Sequence, residues 1–280
     1  MYQFKPGLPF IPGREVAGVV RRVGPGVDRF REGDGVLGSS ISVGGLAELA
    51  CRRADTAVAL PAGVAFEDAA GLLYGYGTSH HALKDRARLE PGESLLVLGA
   101  AGAVGLAAVE LGRAMGARVI AAASTDEKLA LCRDHGADET INYSTEDLKT
   151  RVRELTEGRG ADVVYDPVGG PYSEPALRST AWDGRFLVVG FAAGDIPKVP
   201  LNLALLRGCS IVGVFWGSFV AREPDRHRAN VAELVEWWRA GRLSPHTSAR
   251  YPLDQAADAL RDLEQRRAMG KVVVTPWPGA

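Results

Sequence analysis

The segment Leu95-Leu96-Val97-Leu98-Gly99-Ala100-Ala101-Gly102-Ala103-Val104-Gly105 constrains the fold of this chain more than any other. Its apolar run reads as a strand buried on both faces, and the Ala-rich stretch after it reads as a helix. A Gly-x-x-Gly-x-x-Gly turn between strand and helix lets the backbone come close to a pyrophosphate, which the free N–H groups of the helix start would bind. Glycines at Gly99, Gly102 and Gly105 would equally suit tight packing of helix on strand. The strand–turn–helix context favours the dinucleotide site.

The same pattern recurs. Strands are expected at Ser94–Leu98, Arg118–Ala122, Glu139–Ile141, Asp162–Tyr165, Arg185–Val189 and Ser210–Val214, with helices near 103–115, 126–134, 145–156 and 171–180. Six apolar strands with crossover helices predict an α/β fold, a doubly wound parallel sheet. Residues 1–60 differ. They are rich in Gly, Pro and Val, with short β-type runs at Glu15–Val20, Gly35–Leu37 and Ala47–Ala50, so a small β-rich module is expected there. Helical patterning follows from Glu67 to about Ala87. After a helix at about 225–240, the helix Asp254–Arg266 and the strand Lys271–Thr275 leave the repeating pattern and are expected to rejoin the N-terminal module. The expected domains are 1–75 with 246–280, and 76–245.

Composition removes several function classes. A net charge of -1 supplies no basic field for nucleic acid. No apolar run reaches membrane-spanning length, so no membrane partner is expected. The three cysteines, Cys51, Cys132 and Cys209, are scattered and odd in number, which argues against a disulfide framework and for a reducing cytoplasm. No Cys/His cluster has metal-ligand spacing, so no metal is expected.

The end of the second strand sets the cofactor. A site for the unphosphorylated dinucleotide usually places an acid there, on the ribose 2′-hydroxyl. Here the strand ends Ala123-Ser124, with Lys128 one turn on. Ser124 and Lys128 could bind a 2′-phosphate, which points to NADPH. Ser124 could instead cap the next helix, and Asp126 keeps NADH open.

The segments Pro12–Val20, Gly33-Asp34-Gly35-Val36, Leu95–Gly105, Gly136-Ala137-Asp138, Asp166-Pro167-Val168-Gly169-Gly170, Val188–Phe191 and Gly270–Val273 carry a resemblance to one family. The chain resembles the quinone oxidoreductase and zeta-crystallin branch of the zinc-independent medium-chain dehydrogenases/reductases across essentially its whole length. That resemblance implies a GroES-like catalytic domain beside a Rossmann domain. It implies that Gly102, Ala103 and Val104 line the pyrophosphate, and that Tyr143 joins Ser124 and Lys128 around the 2′-phosphate. It places Val168, Gly190, Phe191, Phe215 and Trp216 on the nicotinamide side, Thr78 beside the carboxamide, and Tyr2 facing the same region. Ordinary packing remains an equal reading for Tyr143, Phe191 and Phe215. His80 and His81 are adjacent and read as satisfied histidines, not catalytic ones.

Zinc-dependent relatives carry Gly-His-Glu where this chain has Gly13-Arg14-Glu15. Reducing an isolated ketone calls for a Lewis acid or a proton donor at the oxygen, whereas a quinone or an α,β-unsaturated carbonyl delocalises the arriving charge itself. The expected reaction is therefore NADPH-dependent hydride transfer to such a conjugated small molecule. An enoyl-thioester reductase and a non-catalytic NADPH-binding protein are the competing readings. The resemblance also implies first strands of the GroES-like domain, roughly 40–50 residues, ahead of Met1, so that domain is expected to be N-terminally incomplete and its activity uncertain. A homodimer is expected through Cys209–Trp216, an apolar edge strand, unless the 225–240 helix covers it.

Overall fold

The computed structural model describes residues 7–39, 44–61 and 63–276. The chain divides into two compact units, one of residues 75–244 and the other built from 2–74 and 245–280.

The larger unit holds six parallel strands: β4 (Ser94–Leu98), β5 (Arg118–Ala123), β6 (Glu139–Asn142), β7 (Ala161–Asp166), β8 (Thr180–Val188) and β9 (Ser210–Gly213). Their spatial order is β6-β5-β4-β7-β8-β9, the doubly wound arrangement, in which strand order reverses between β4 and β7. Every residue of β4, and all but one of β5 and of β7, is buried. Both faces are therefore covered, and the strands lack alternation for that reason. The crossovers are α3 (Ala103–Ala114), α4 (Asp126–Asp134), α5 (Leu148–Leu155), α6 (Ser173–Leu177) and α7 (Asn202–Arg207). A core cluster including Leu96, Leu98, Ile120, Ile141, Val152, Val164, Leu177 and Phe186 fills one side of the sheet.

The smaller unit carries β1 (Glu15–Val19), β2 (Gly35–Ser39) and β3 (Ala57–Ala59) as an antiparallel sheet, α1 (Phe66–Ala69), and a parallel pair of β10 (Thr247–Pro252) with β11 (Lys271–Thr275), joined through α10 (Ala256–Glu264). The expected strand at Ala47–Ala50 does not form. β2 takes β3 as its second partner, through Val36↔Ala59 to Gly38↔Ala57, and 47–50 is left as bends without a ladder. β3 and β10 were not legible because each is short or carries polar and Pro residues. The buried Glu15 carboxylate pins this unit. It accepts Tyr74 N–H at 2.5 Å and pairs with Lys271 Nζ.

Two expected helices are shorter than their patterns. The one at 171–180 is a 3₁₀ turn at Gly170–Tyr172 plus α6, because Thr180 already pairs with Ala161 and makes β8 longer than expected. The one from Glu67 is broken at Ala70–Gly71 and continues as α2 (Leu72–His80), which passes into a π-helical segment, His81–Ala87. That segment packs on α8 (Trp216–Arg222) through His81 and on α9 (Pro224–Arg239) through Asp85. His81 stacks on Phe219 with ring centroids 3.9 Å apart, and its Nδ1 lies 2.7 Å from Asp85 Oδ2. Asp85 also accepts from Arg226 and Asn230. His227 sits edge-on to Trp216 at 5.6 Å.

His80, His81 and His227 are all buried, and burial pushes all three imidazoles down, His227 to about 4. The unfolded chain therefore binds protons that the folded chain refuses between the ordinary imidazole value of about 6.5 and about 4. Stability should fall as pH falls through that window, by up to about 3 kcal/mol from His227 alone. Urea unfolding from pH 7 to pH 4 measures this. His227→Gln should flatten the slope, and an unchanged slope would contradict the assignment.

Candidate cofactor site

The site begins where β4 turns into α3. Gly99 adopts a left-handed φ of 57°, the Ala100 N–H donates to Ala122 O at 3.1 Å, and the Gly102 N–H returns to Gly99 O at 3.0 Å. A Cβ on Gly105 would lie 2.3 Å from Gly99 O and 2.8 Å from Ala100 Cα. Only glycine lets the first turn of α3 sit this close to the strand end. No side chain caps α3, whose cap residue is Gly102. By contrast, Thr125 Oγ1 caps α4 and Asp147 Oδ1 caps α5. The first-turn amides at Ala103, Val104 and Gly105 thus meet no capping oxygen, at the positive end of a 12-residue helix. This is a cradle for an anion at the topological switch point, and the residues present fit a dinucleotide pyrophosphate.

One strand over, β5 ends at Ala123. Ser124 Oγ accepts from Lys128 Nζ at 3.2 Å, and Ser144 Oγ holds the Ser124 carbonyl at 2.9 Å. Ser124 is not the helix cap; Thr125 takes that place. Asp126 accepts from Asn142 Nδ2 at 2.8 Å, so its carboxylate is tied to the end of β6. Asn142 has no sequence signal, because a single amide carries no motif. The Tyr143 N–H donates to Ala123 O, and its ring lies 4.4 Å from Tyr172. The geometry joins a hydroxyl and an ammonium at this strand end and bonds the Asp126 carboxylate to Asn142.

The loops after β7 and β8 lie against the glycine turn and each other. A Cβ on Gly99 would lie 2.7 Å from Val168 Cγ2, one on Gly169 2.9 Å from Phe191 Cδ1, and one on Gly190 3.1 Å from Pro167 O. Val168, Gly190 and Phe191 therefore belong to one interlocked pair of loops. Thr78 is buried in α2. Its neighbour Gly77 faces the Trp216 indole, where a Cβ would lie 2.9 Å from Cζ2. Ser79 Oγ donates to Val104 O and shares a hydrogen bond with Tyr165 Oη, each at 2.8 Å. This fastens α2 to the first turn of α3. Trp216 is buried and Phe215 is half exposed, so the two aromatics of that loop differ in setting. Tyr2 lies outside the described residues. Among the described residues, no three or more His, Cys, Asp or Glu side chains form a metal-binding group.

In the sequence Asp166 is only the first residue of the Asp166–Gly170 segment, but in the structure it is buried and its oxygens accept from Val168 N, Gly169 N and Ser173 Oγ. Burial pushes its carboxyl up against those three donors. The available signal was a lone acid closing an apolar strand just before Pro-Val-Gly-Gly.

Comparison with known proteins bears on the fold and the family. Residues 1–83 match the alcohol dehydrogenase GroES-like domain, and residues 103–237 match the family model described as zinc-binding dehydrogenase. The chain is 42% identical to quinone oxidoreductase-like protein 2 homolog of Nematostella vectensis, over 98% of this chain and 75% of that protein. Among solved structures, it is similar to a mycobacterial protein complexed with NADPH (34% identity, TM-score 0.92). It is also similar to Escherichia coli quinone oxidoreductase complexed with NADPH (30% identity, TM-score 0.90). Each match covers 98% of this chain and 85% of the solved one. With a sheet order, a glycine cradle and a GroES-like match of this kind, the chain belongs to the zinc-independent quinone oxidoreductase branch of the medium-chain dehydrogenases/reductases.

Proposed function

We propose that the chain is an NADPH-dependent reductase that delivers a hydride to a quinone or an α,β-unsaturated carbonyl without zinc. The Ser124–Lys128 pair at the end of β5, with Asp126 drawn off by Asn142, is the observation that carries this reading. The NADPH complexes of the two similar proteins support it.

NADPH, when bound, supplies the hydride from its nicotinamide ring. The chain's residues have three tasks. The amides of Ala103, Val104 and Gly105 neutralise the pyrophosphate, with Gly99 and Gly102 keeping the approach open. Ser124, Lys128 and Tyr143 take the 2′-phosphate, where a carboxylate would repel it. Val168, Gly190, Phe191, Phe215 and Trp216 flank the nicotinamide, Thr78 serves its carboxamide, and together they keep water from the reacting carbon. Arg14 stands where zinc-dependent relatives carry histidine, and the neighbouring Glu15 is held by Lys271 and Tyr74 N. These residues offer no ligand set for a Lewis acid. An acceptor that spreads the incoming charge over its own π-system suits them.

The chain has no helix among its described residues that is long and apolar enough to cross a membrane. Its three cysteines are free thiols, and a reducing cytoplasm suits them. We also propose a homodimer. β9 is the last strand of the sheet order, with Ser210, Ile211 and Gly213 exposed. Trp182, Leu201, Leu205 and Leu206 are exposed in the segments before it. A second copy pairing through β9 would cover both the open edge and that apolar surface.

Three outcomes are expected. Lys128→Ala should weaken NADPH binding by about ten-fold or more while NADH changes by less than about two-fold, because a charge-assisted hydrogen bond is lost with the phosphate only. Equal losses for both cofactors would refute the 2′-phosphate role. Steady-state NADPH oxidation should proceed with quinones or enones, should exceed that with an enoyl-CoA, and should survive exhaustive chelation. Activity lost on chelation and restored by zinc would overturn the metal-free reading. Light scattering at micromolar concentration should give twice the chain mass of 29.7 kDa, and a monomer would count against pairing through β9.

A further inference from the structure

The carboxylate at the end of β7 is the most heavily engaged side chain near the proposed nicotinamide loops. Asp166 is 3% exposed. Its Oδ1 accepts the Val168 N–H at 2.9 Å and the Gly169 N–H at 2.8 Å, and its Oδ2 accepts the Ser173 hydroxyl at 2.5 Å. The backbone carbonyl of the same residue accepts Val189 N–H at 3.0 Å and Gly190 N–H at 3.3 Å. One residue therefore gathers the start of both loops. Among the described residues, no cation pairs with it, and N–H and O–H dipoles alone offset its burial.

The loops it gathers have little freedom elsewhere. The Ala192 N–H donates to Pro167 O at 3.1 Å and the Ala193 N–H to Val168 O at 2.8 Å. Gly169 and Gly170 hold φ of 70° and 61°. A Cβ on Gly169 would meet Phe191, and one on Gly170 would lie 2.8 Å from Ala193 Cβ. These are conformations that glycine adopts freely and that the two amide hydrogen bonds to Oδ1 select. The adenosine end of the site is held by other bonds, those of Ala100 to Ala122 and of Lys128 to Ser124. Loss of the Asp166 carboxylate would leave two amides and one hydroxyl unsatisfied in the interior. The loop carrying Val168 would shift, while the turn at Gly99–Gly105 and the Ser124–Lys128 pair would stay.

We infer that Asp166 is the positioning residue of the nicotinamide site, its carboxylate setting the path of residues 167–170 and, through them, the places of Val168, Gly190 and Phe191. The inference rests on the NADPH reading above. It predicts damage confined to one end of the cofactor, which a purely structural role would not produce.

The test compares Asp166→Ala, Asp166→Asn and Ser173→Ala with the native chain. The ligands are NADPH and adenosine 2′,5′-bisphosphate, which carries the 2′-phosphate but no nicotinamide. Calorimetry gives both affinities, and the emission of bound NADPH reports the nicotinamide surroundings without any substrate. Asp166→Ala should bind NADPH about ten-fold or more weakly, with altered emission, and keep the bisphosphate affinity within about two-fold. Asp166→Asn, which retains an acceptor for the two amides, should recover most of the NADPH affinity. Ser173→Ala, which removes one bond, should fall between Asp166→Ala and native. If Asp166→Ala does not fold, the other two variants decide, and native NADPH affinity and emission in both would overturn the role. Parallel loss of both ligands in a folded Asp166→Ala would overturn it too, since it would show general disruption. A native chain that binds neither ligand would overturn the NADPH reading itself, a result distinct from every variant outcome.

Discussion

The absence of a side chain at Gly105 is the constraint on which the cofactor site depends. A Cβ there would lie 2.3 Å from Gly99 O, closer than any van der Waals contact allows, so α3 could not begin where it does. The helix starts within one turn of the strand end, uncapped, because nothing larger than hydrogen stands between them. Everything else in the site is arranged around that approach. Ser79 fastens α2 to Val104 O on the first turn of α3, Ala100 fastens the turn to β5, and Val168 closes over Gly99. A second glycine, Gly112, repeats the device two turns along, where a Cβ would lie 2.5 Å from Leu95 Cδ2. The helix is thus laid flat on β4 at both contacts, and its dipole is aimed at the switch point between β4 and β7.

Much of the larger unit was legible in the sequence because its signals are strong and local. Buried parallel strands are nearly uniform apolar runs, so β4, β5 and β7 stood out to within a residue or so at each end. In the structure, Gly116 and Gly136 take φ of 85° and 102° just after α3 and α4 end. The misses have a common cause. β8 begins at Thr180 because a bulge shifts its register against β7 between Ala161 and Val163, and nothing in Thr-Ala-Trp-Asp-Gly announces a ladder. β10, with alternating exposed residues and a terminal proline, exists because β11 is there to pair with it. Pairing across distant sequence decides such elements, and local pattern does not carry it.

The site shows the same division. The glycine turn and the strand end Ala123-Ser124 could be read directly, since each residue type there has a chemical reason. What could not be read was which of two neighbouring side chains takes which task. Ser124 and Thr125 are both cap residues by type. Thr125 takes the amide of Lys128, and that frees Ser124 to face the Lys128 ammonium. Asp126 and Asn142 lie 16 residues apart, and only the pairing of β5 with β6 brings them together. An acid that looked like evidence for an unphosphorylated ribose is thereby bonded to a neighbouring strand.

Buried carboxylates fix segments within each unit of the molecule. Glu15 and Glu110 are held by groups from distant segments, Lys271 and Tyr74 N for the first and Tyr76 and Ser244 N for the second, whereas Asp166 is held by the loop that follows it, through Ser173 and the 168–169 amides. A carboxylate out of water is costly unless its lone pairs are filled. Each one therefore demands a specific set of donors and fixes the segments that bring them. Apolar packing alone tolerates small slips between loops, but a buried acid with three donors does not. On the proposed reading, in which no Lewis acid anchors the acceptor oxygen, placement of the hydride donor relative to its acceptor is the main lever left. Rigidity conferred on loops by buried acids is the physical counterpart of that requirement.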